Sequence, residues 1–407
     1  MKAKAGPQDR ICKNPGIPRV LFVVSEDWYF LSHRIRFAEF LQRNGFEVAV
    51  TCADSGRCGE MEAVGIRVLS LDVKRKIVGP LVLLGEFRKL SQVIREYDPD
   101  VIHAVALRMI LLIWLCRMFN GGFHTINAVA GMGTLFSGQS LSLKLKLVRF
   151  FLTGLFPLML SGRRVDSVFQ NADDFNMAIE KKWCRPEHCH LIRGVGISIK
   201  QQIDKSIGAT NNRRETNSPR KPIVLFVGRL LRDKGVVELL EASEHLNEKE
   251  ILHELRMVGG LDDANPNCLS QEDVDEWSSR DWIKFVGRSE TVMDEMAQSD
   301  LVVLPSYREG LPKVLLEAGS MGLPVITCDV AGCREVVVDG ENGLLIPPRD
   351  SAALAKAMEM LILDSGIRSQ MGYSNFKRTK DEFTENVIFN QFLELYRSIV
   401  TTNSSQG

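Results

Sequence analysis

Short apolar runs alternate along the first half of the chain with segments of helical periodicity. Valine-rich or otherwise apolar runs predict strands, and i, i+3, i+4 spacing of apolar residues predicts helices. The predicted strands are 19–25, 46–52, 66–71, 100–104, 125–130 and 167–170, and the predicted helices include 32–44 and 81–96. Asn171 with Asp173 and Asp174 is expected to open a further helix. This alternation is typical of a parallel, doubly wound sheet.

The same rhythm restarts after a polar segment, 201–221, that has few apolar residues. Strands are predicted at 222–228, 255–259, 283–287, 300–305 and 324–329, and helices at 235–246, 289–298, 312–321, 351–363 and about 381–399. We therefore expect a first domain at 1–200, a linker at 201–221 and a second domain at 222–380. Residues 381–407 hold the last helix and a tail.

Length and charge agree with two globular domains. A chain of 407 residues suits two α/β domains better than one. Its 51 basic and 51 acidic residues cancel, which argues against a nucleic-acid binder that works by bulk positive charge. The first 200 residues carry ten more basic than acidic side chains and the remainder ten fewer, so the first domain should prefer anionic surfaces.

Cysteine spacing and the N-terminus favour a cytoplasmic protein. Nine cysteines are scattered without paired spacings, and the N-terminal segment has no apolar stretch of signal-peptide length. The segment 184–190 contains two cysteines and two histidines, but no second Cys/His pair lies close in sequence to complete a zinc site. This favours a structural role for that segment.

Two apolar segments in the first domain are too short or too charged to cross a membrane. Residues 105–119 contain two arginines and are expected to form a core helix. Residues 141–164 combine an apolar run with several basic residues. They form either an element that rests on anionic lipid headgroups or a buried helix, and the positive charge of this half favours the membrane.

The strand ends indicate what the cleft binds. No G-x-G-x-x-G motif follows the first strand, which disfavours a dinucleotide oxidoreductase, and the chain has no P-loop. After the first strand of the second domain, Gly228 and Arg229 are followed five residues later by Lys234, directly before a helix. Two cations at a helix N-terminus can hold a diphosphate.

A second motif begins where the strand at 300–305 ends. Glu309 lies in the following loop, and Gly310, Leu311 and Pro312 lead into a helix whose free N–H groups attract anions. Glu317 follows two helical turns later, so the two carboxylates could address different hydroxyls of one extended ligand. On spacing alone, a helix-terminal carboxylate and a solvated one remain equally good interpretations.

Taken together, these motifs resemble the retaining glycosyltransferases of family 4, which have the GT-B fold of two Rossmann-like domains facing a cleft. The resemblance is strongest over 222–350, in the G-R-x4-K and E-x7-E pairs and in the segments 322–326, 331–335 and 339–348. In the first domain it includes 32–34, 100–104 and 170–174. Residues 127–133 resemble bacterial enzymes that extend polyprenyl-diphosphate-linked or surface-polysaccharide sugars.

The resemblance implies roles for these residues. Arg229 and Lys234 would hold the diphosphate of a nucleotide sugar and stabilise its negative charge as the glycosidic bond breaks. Glu309 would bind a hydroxyl of the transferred sugar, and Glu317 would bind the ribose. The phosphates and the sugar would lie against Gly228 of the first loop and against Gly310, Leu311 and Pro312 of the second.

Three first-domain residues are candidates for contact with acceptor or sugar. Asn127 stands where many relatives have a histidine near the sugar, and His33 belongs to the matching segment 32–34. His103 lies at a strand end and faces either the cleft or the core. Ser198 replaces an acidic residue that is common in the family, which weakens any role for that turn.

No cofactor is expected. A metal-dependent transferase would need an Asp-x-Asp motif beside the diphosphate. Two such motifs occur. Residues 98–100 form a turn before a strand, and residues 273–275 lie in a polar segment, so neither is well placed. With two cations available, we expect metal-independent catalysis.

The resemblance therefore implies an α-forming glycosyltransferase that moves a sugar, an N-acetylhexosamine, from a UDP-sugar to a lipid-linked saccharide. It would work at the inner face of the cytoplasmic membrane, and its last helix would cross back onto the first domain. Two alternatives are a non-hydrolysing nucleotide-sugar epimerase and a catalytically silent nucleotide-sugar-binding subunit.

Overall fold

The computed structural model describes residues 16–70, 80–131, 143–199, 220–262, 265–289 and 291–404. Most of the predicted linker 201–221 and the start of the segment 141–164 lie outside these ranges.

The first domain is built on a seven-stranded parallel sheet. Its strand order is β3-β2-β1-β4-β5-β6-β7. The strands are β1 Arg19–Glu26, β2 Glu47–Ala53, β3 Arg67–Ser70, β4 Val101–Val105, β5 His124–Val129, β6 Val165–Phe169 and β7 Cys189–Leu191. The helices between them are α1 Asp27–His33, α2 Ile35–Arg43, α3 Cys58–Ala63, α4 Pro80–Tyr97, α5 Leu107–Phe119, α6 Leu143–Leu160 and α7 Ala172–Glu180.

The second domain contains a six-stranded parallel sheet in the order β10-β9-β8-β11-β12-β13. Its strands are β8 Ile223–Val227, β9 Glu254–Val258, β10 Ile283–Gly287, β11 Leu301–Leu304, β12 Val325–Cys328 and β13 Gly343–Ile346. Its helices are α8 Val236–Glu248, α9 Gln271–Ser278, α10 Val292–Gln298, α11 Lys313–Ser320, α12 Cys333–Val336, α13 Ser351–Leu363 and α14 Ser365–Glu382.

In both parallel sheets the strands are added on one side of the first strand and then on its other side, which confirms the predicted pair of doubly wound α/β domains. In the first sheet β1 pairs with both β2 and β4, and in the second β8 pairs with both β9 and β11. Crevices open at the carboxyl ends of the strands where the order switches, and ligands bind there in sheets of this kind. Apolar residues on both faces of each sheet are buried under the helices.

The last helix, α15 Glu385–Ser404, packs on the first domain although it follows the second. Its buried residues Phe392 and Tyr396 lie against Phe37 of α2, with ring centroids 5.0 and 5.9 Å apart. Just before this helix, Thr384 forms a bridge with Ile197. The two domains are therefore joined by a second chain crossing besides the linker.

The structure differs from several predicted boundaries. The predicted helix 32–44 is two helices, because Arg34 has φ −127° and leaves the helical region between α1 and α2. The region 365–404 holds two helices, α14 and α15, where one beginning near 381 was expected. The short strands β7 and β13 were not predicted, since three or four residues give little periodicity.

Candidate functional site

The carboxyl edges of the two sheets face each other, and loops from both domains meet there. The side-chain amide of Asn171, which follows β6, donates to the Gly310 carbonyl at 2.9 Å. Asn171 also caps α7, as the sequence predicted, because its side chain accepts from the Asp174 N–H. The loops after β8 and β11 lie on either side of the switch point in the second sheet.

The predicted pairs are brought together across this switch point. Lys234 ends the loop after β8, and Glu309 lies in the loop after β11. Lys234 Nζ lies 2.5 Å from Glu309 Oε1, and the side chains are 23% and 13% exposed. One predicted phosphate-binding cation thus pairs directly with the carboxylate predicted to hold the sugar.

The other predicted cation also has an acidic partner. Arg229 Nη1 lies 2.8 Å from Asp262 Oδ2, and the guanidinium side chain is 52% exposed. Asp262 follows β9, which neighbours β8 in the sheet. Arg229 is consequently held at the rim of the cleft, where solvent reaches it.

Glu317 is paired within its own helix. Lys313, the first residue of α11, places its Nζ 3.1 Å from Glu317 Oε1 and 3.4 Å from the carbonyl oxygen of Ser32. Ser32 belongs to α1 of the first domain. Lys313 therefore contacts both domains, and it is a residue that the sequence analysis did not select.

Glycine at position 310 is required by the close approach of the two domains. A Cβ on Gly310 would lie 2.1 Å from the Ala130 carbonyl oxygen. Gly332 has φ +80°, and a Cβ there would lie 2.5 Å from the Gly310 carbonyl oxygen. Backbone from three loops is thus packed around Gly310, which fixes the position of the Glu309 side chain beside it.

Two adjoining cavities occupy the cleft. The first, here called the Glu309 cavity, is lined by Tyr29, His33, Ala130, Gln170, Gly194, Val195, Glu309, Gly310, Leu311, Lys313 and Leu316. The second, the Glu317 cavity, includes residues 31–36 and 195–198 together with Met293, Lys313, Glu317, Glu385 and Phe389. His33, Val195 and Lys313 line both cavities.

His33 is the first-domain candidate that does face the cleft. Its ring stacks on Tyr29, with centroids 4.5 Å apart and planes 7° from parallel. Its Nδ1 lies 2.7 Å from Ser32 Oγ. Burial, together with the charges of Lys313 and Arg34, lowers the pKa of His33 to about 4, so its imidazole is neutral at pH 7.

The other two first-domain candidates lie away from the cleft, and for His103 the structure matches the core alternative. His103 is fully buried in the middle of β4, where its Nδ1 lies 2.7 Å from the Tyr396 hydroxyl of α15. Asn127 is 1% exposed, and its amide donates to the Met159 carbonyl of α6 at 3.0 Å. Both side chains point towards helices that cover the sheet, and neither lines the described cavities.

One buried and one half-buried ion pair hold the two domains against each other. Asp174 at the start of α7 lies 2.5 Å from Arg308 Nη2, and the two side chains are 1% and 15% exposed. Arg193 pairs with Glu335 at 2.8 Å, and Glu335 also accepts from the Ala172 N–H. The sequence analysis noted Asp174 only as a helix opener, because its partner lies in the other domain.

Acidic groups that could suggest a metal lie away from the diphosphate motifs. Asp27, Asp54 and Cys58 are close enough to share an ion, but the Asp27 carboxylate already accepts from the Ser55 hydroxyl and from three backbone N–H groups. Of the Asp-x-Asp candidates, Asp100 accepts from the Arg19 N–H before β4, and Asp273 accepts from the N–H of Ser270, the N-cap of α9. Neither candidate reaches the cleft.

The Cys/His segment 184–190 belongs to a hydrogen-bonded cluster at the opposite edge of the first sheet. Asp166 lies 2.6, 3.2 and 2.7 Å from ring nitrogens of His124, His188 and His190 respectively. Although burial raises it, hydrogen bonds from His124 and His190 hold the pKa of Asp166 well below its usual value. Direct imidazole–carboxylate hydrogen bonds account for this cluster, which ties the amino ends of β5, β6 and β7 together.

Both domains match known sequence families. Residues 19–160 match the family Glycosyl transferase 4-like, and residues 209–378 match the family Glycosyl transferases group 1. The chain is 26% identical over 386 residues to N,N'-diacetylbacillosaminyl-diphospho-undecaprenol alpha-1,3-N-acetylgalactosaminyltransferase from Campylobacter jejuni. That alignment covers 91% of this chain and 98% of the relative.

Solved structures share the fold over nearly the whole chain. Sucrose-phosphate synthase from Thermosynechococcus elongatus aligns with a TM-score of 0.77 and 19% identity, covering 95% of this chain and 100% of that one. Anabaena HepE, in complex with UDP and glucose, aligns with a TM-score of 0.71 and 21% identity, covering 94% and 100%. Identities this low carry information about the fold alone.

Proposed function

This chain belongs to the GT-B glycosyltransferases, with a glycosyl transferase 4-like first domain and a group 1 second domain, and from this premise we propose its substrates and mechanism. It transfers an N-acetylhexosamine from a UDP-sugar to a lipid-linked saccharide, with retention of the anomeric configuration. The reaction serves the assembly of a surface polysaccharide or related glycan.

The observation that carries the proposal is the ion pair between Lys234 and Glu309 at the switch point of the second sheet. A cation and a carboxylate 2.5 Å apart can hold a phosphate oxygen and a sugar hydroxyl at the same time, one on each side of the bond that breaks. Glu317 lies one turn into α11 and eight residues after Glu309, and we assign it to the ribose. This arrangement supports a nucleotide sugar that extends along the cleft from the Lys234–Glu309 pair towards Glu317.

Electrostatic stabilisation then supplies most of the catalysis. As the glycosidic bond breaks, negative charge grows on the departing diphosphate, and the ammonium of Lys234 and the guanidinium of Arg229 stabilise it. The N–H groups at the start of α11 add partial positive charge. The departing phosphate accepts the proton of the acceptor hydroxyl, which attacks from the same face and thereby retains the configuration.

The choice of donor and acceptor rests on the relatives. The Campylobacter jejuni relative is named for transferring N-acetylgalactosamine to a diphospho-undecaprenol-linked sugar. The Anabaena structure was obtained with UDP and glucose. These names support a UDP-sugar, an N-acetylhexosamine and a lipid-linked acceptor for this chain.

The surface of the first domain supports contact with the membrane that carries such an acceptor. Met118 and Phe119 at the end of α5 are 63% and 73% exposed, and Phe150 on the neighbouring α6 is 72% exposed. Lys146 and Arg149, also on α6, are exposed. No described helix has the length and apolar character needed to cross a bilayer. We propose peripheral attachment to the inner face of the cytoplasmic membrane.

We also propose that the reaction needs no metal ion. Lys234 and Arg229 provide two positive charges at the diphosphate position, and the Asp-x-Asp candidates serve as a backbone anchor and a helix cap elsewhere. Turnover in the presence of EDTA is the corresponding expectation.

The decisive experiment measures nucleotide release by the purified protein across a panel of UDP- and GDP-sugars in EDTA. Each donor is tested with and without a lipid extract that contains polyprenyl-diphosphate saccharides, and the lipid product is examined by mass spectrometry. We expect release from a UDP-N-acetylhexosamine only when the extract is present. Glu309→Gln should lower the rate of this release about 10² to 10³-fold, whereas Glu341→Gln, which changes an exposed carboxylate elsewhere on the second domain, should leave it unchanged.

The same assay separates the two alternatives. An epimerase would convert the donor sugar into its isomer without any acceptor. A silent subunit would bind UDP in calorimetry and release no nucleotide with any extract. Either result would overturn the proposed transfer.

A further inference from the structure

Lys313 is a cation that both cavities of the cleft present to a ligand. Among the described residues that line the Glu309 cavity, Lys313 is the only lysine or arginine. It also lines the Glu317 cavity, and its side chain is 34% exposed. Arg229 and Lys234 are not among the described residues that line either cavity.

The position of Lys313 places positive charge between the two carboxylates of the E-x7-E motif. It is the first residue of α11, where backbone N–H groups have no partner within the helix and the helix dipole is positive. Its Nζ lies 3.1 Å from Glu317 and 3.4 Å from the Ser32 carbonyl across the cleft. An anion held between the sugar side and the ribose side of the cleft would meet this ammonium group.

The neighbouring imidazole does not share this role at neutral pH. His33 lines both cavities, but burial and the charges of Lys313 and Arg34 lower its pKa to about 4. Of the three residues that line both cavities, Lys313 is therefore the one that carries a positive charge, whereas Arg34 and Arg36 line the Glu317 cavity alone.

From this geometry we infer that Lys313 is a third phosphate-binding residue, which donates from its ammonium group to a phosphate oxygen at the junction of the two cavities. The inference rests on the proposed function, because it takes the ligand to be a diphosphate. That phosphate belongs either to the nucleotide of the donor or to the diphosphate of the lipid-linked acceptor. When the phosphate binds, Lys313 pairs less closely with Glu317. The Glu317 carboxylate can then accept a hydrogen bond from a ribose hydroxyl.

The test compares UDP with uridine by isothermal titration calorimetry on wild-type protein and three variants. Lys313→Met should weaken UDP binding about tenfold to one hundredfold and leave uridine binding unchanged, because uridine has no phosphate. Lys313→Arg should restore most of the UDP affinity. Lys377→Met, which removes an exposed lysine on α14, should match the wild type with both ligands.

A second arm identifies the source of the phosphate. If Lys313→Met leaves UDP affinity unchanged but raises the KM for the lipid extract about tenfold or more, the phosphate belongs to the acceptor and the inference stands. Equal weakening of UDP and uridine would instead show that the variant acts through Glu317 and would overturn it. So would unchanged UDP affinity together with an unchanged acceptor KM.

The two proposals fail in distinguishable ways. Absence of turnover in the wild-type protein with every donor contradicts the proposed transfer. The comparison of UDP with uridine still reports whether Lys313 contacts phosphate, because it needs no turnover.

Discussion

Lys234 and Glu309 form an ion pair with Nζ 2.5 Å from Oε1, although 75 residues separate them in the chain. The pair joins the loops after β8 and β11, which are adjacent in the second sheet. Because each charge is neutralised by the other, neither side chain acts alone on a bound ligand. A substitution at one position therefore also changes the charge that the other side chain presents to the ligand.

This coupling predicts non-additive effects on turnover. Lys234→Met and Glu309→Gln should each lower kcat about 10² to 10³-fold, because the first removes a positive charge that stabilises the departing diphosphate and the second weakens the hold on the transferred sugar. The double variant should lose less than the product of the two single losses, since either single change already disrupts the pair. The kcat of all three variants is measured by donor-dependent nucleotide release.

Multiplicative losses in the double variant would contradict the coupling. The control is Glu341→Gln, which should retain wild-type kcat. Unfolding midpoints of all variants, measured by circular dichroism, show whether a loss of turnover reflects a loss of structure.

A second prediction concerns the contact between the domains. Asp174→Ala should reduce the free energy of unfolding by about 3 kcal/mol, because it leaves the buried Arg308 guanidinium without this carboxylate. The neighbouring Asp173 pairs with Arg334 at the surface, where the side chains are 45% and 43% exposed. Asp173→Ala should therefore change the free energy of unfolding by less than about 1 kcal/mol.

Differential scanning calorimetry of the two variants tests this contrast. The Asp174 variant should unfold at a clearly lower temperature than wild type, and the Asp173 variant within a few degrees of it. Equal midpoints for the two variants would mean that the buried pair does not hold the domains together.

The sequence was sufficient for the architecture because parallel strands that are buried on both faces read as continuous apolar runs. The runs at β1, β4, β8 and β11 were predicted within about two residues of their observed ends. Asn171 was also identified correctly as a helix opener, because its cap depends on residues three positions apart. Interactions between residues that are close in sequence can be predicted from the sequence alone.

The first-domain site residues were harder to predict. In a sheet that is covered on both faces, only residues at the carboxyl end of a strand reach the cleft. Asn127 is the fourth of six residues in β5 and His103 the third of five in β4, so both point towards covering helices. Lys313 and Glu317 are one helical turn apart and could have been paired from sequence, whereas the partners Lys234 and Glu309 depend on the strand order.

A third prediction follows from the environment of His33. The pKa of His33 is lowered from 6.5 to about 4 in the folded protein. Between these two pH values His33 is therefore protonated in the unfolded chain and neutral in the folded one. The stability that neutral His33 contributes is present above pH 6.5 and is lost as the pH falls towards 4. His33→Gln should therefore lose less stability than wild type between pH 7.5 and 5.

NMR titration of the His33 ring checks the premise directly. The midpoint should lie near pH 4 in wild type and should rise in Lys313→Met, because that variant removes one of the charges that lower the pKa. A wild-type midpoint near 6.5 would contradict the half-buried position of the ring beside the Lys313 charge.

The final prediction concerns the exposed apolar residues of the first domain. Phe119 and Phe150 lie on α5 and α6, which pack against each other, and α6 also carries exposed basic residues. Apolar side chains that insert among headgroups beside lysine and arginine bind anionic membranes, and salt weakens the electrostatic part. Wild-type protein should therefore float with phosphatidylglycerol-containing vesicles at low salt, and Phe119→Ser combined with Phe150→Ser should reduce the bound fraction about tenfold or more.

The matched control is Tyr373→Ser on the second domain, whose side chain is 71% exposed in a half of the chain with net negative charge. This variant should bind vesicles as the wild type does, because the anionic vesicle repels the negatively charged second domain, on which Tyr373 lies. Loss of binding in the control, or full binding by the double variant, would mean that a different surface meets the lipid. Wild-type protein that stays unbound at low salt would remove the membrane attachment from the proposed function and leave the transfer reaction to be tested with a water-soluble acceptor.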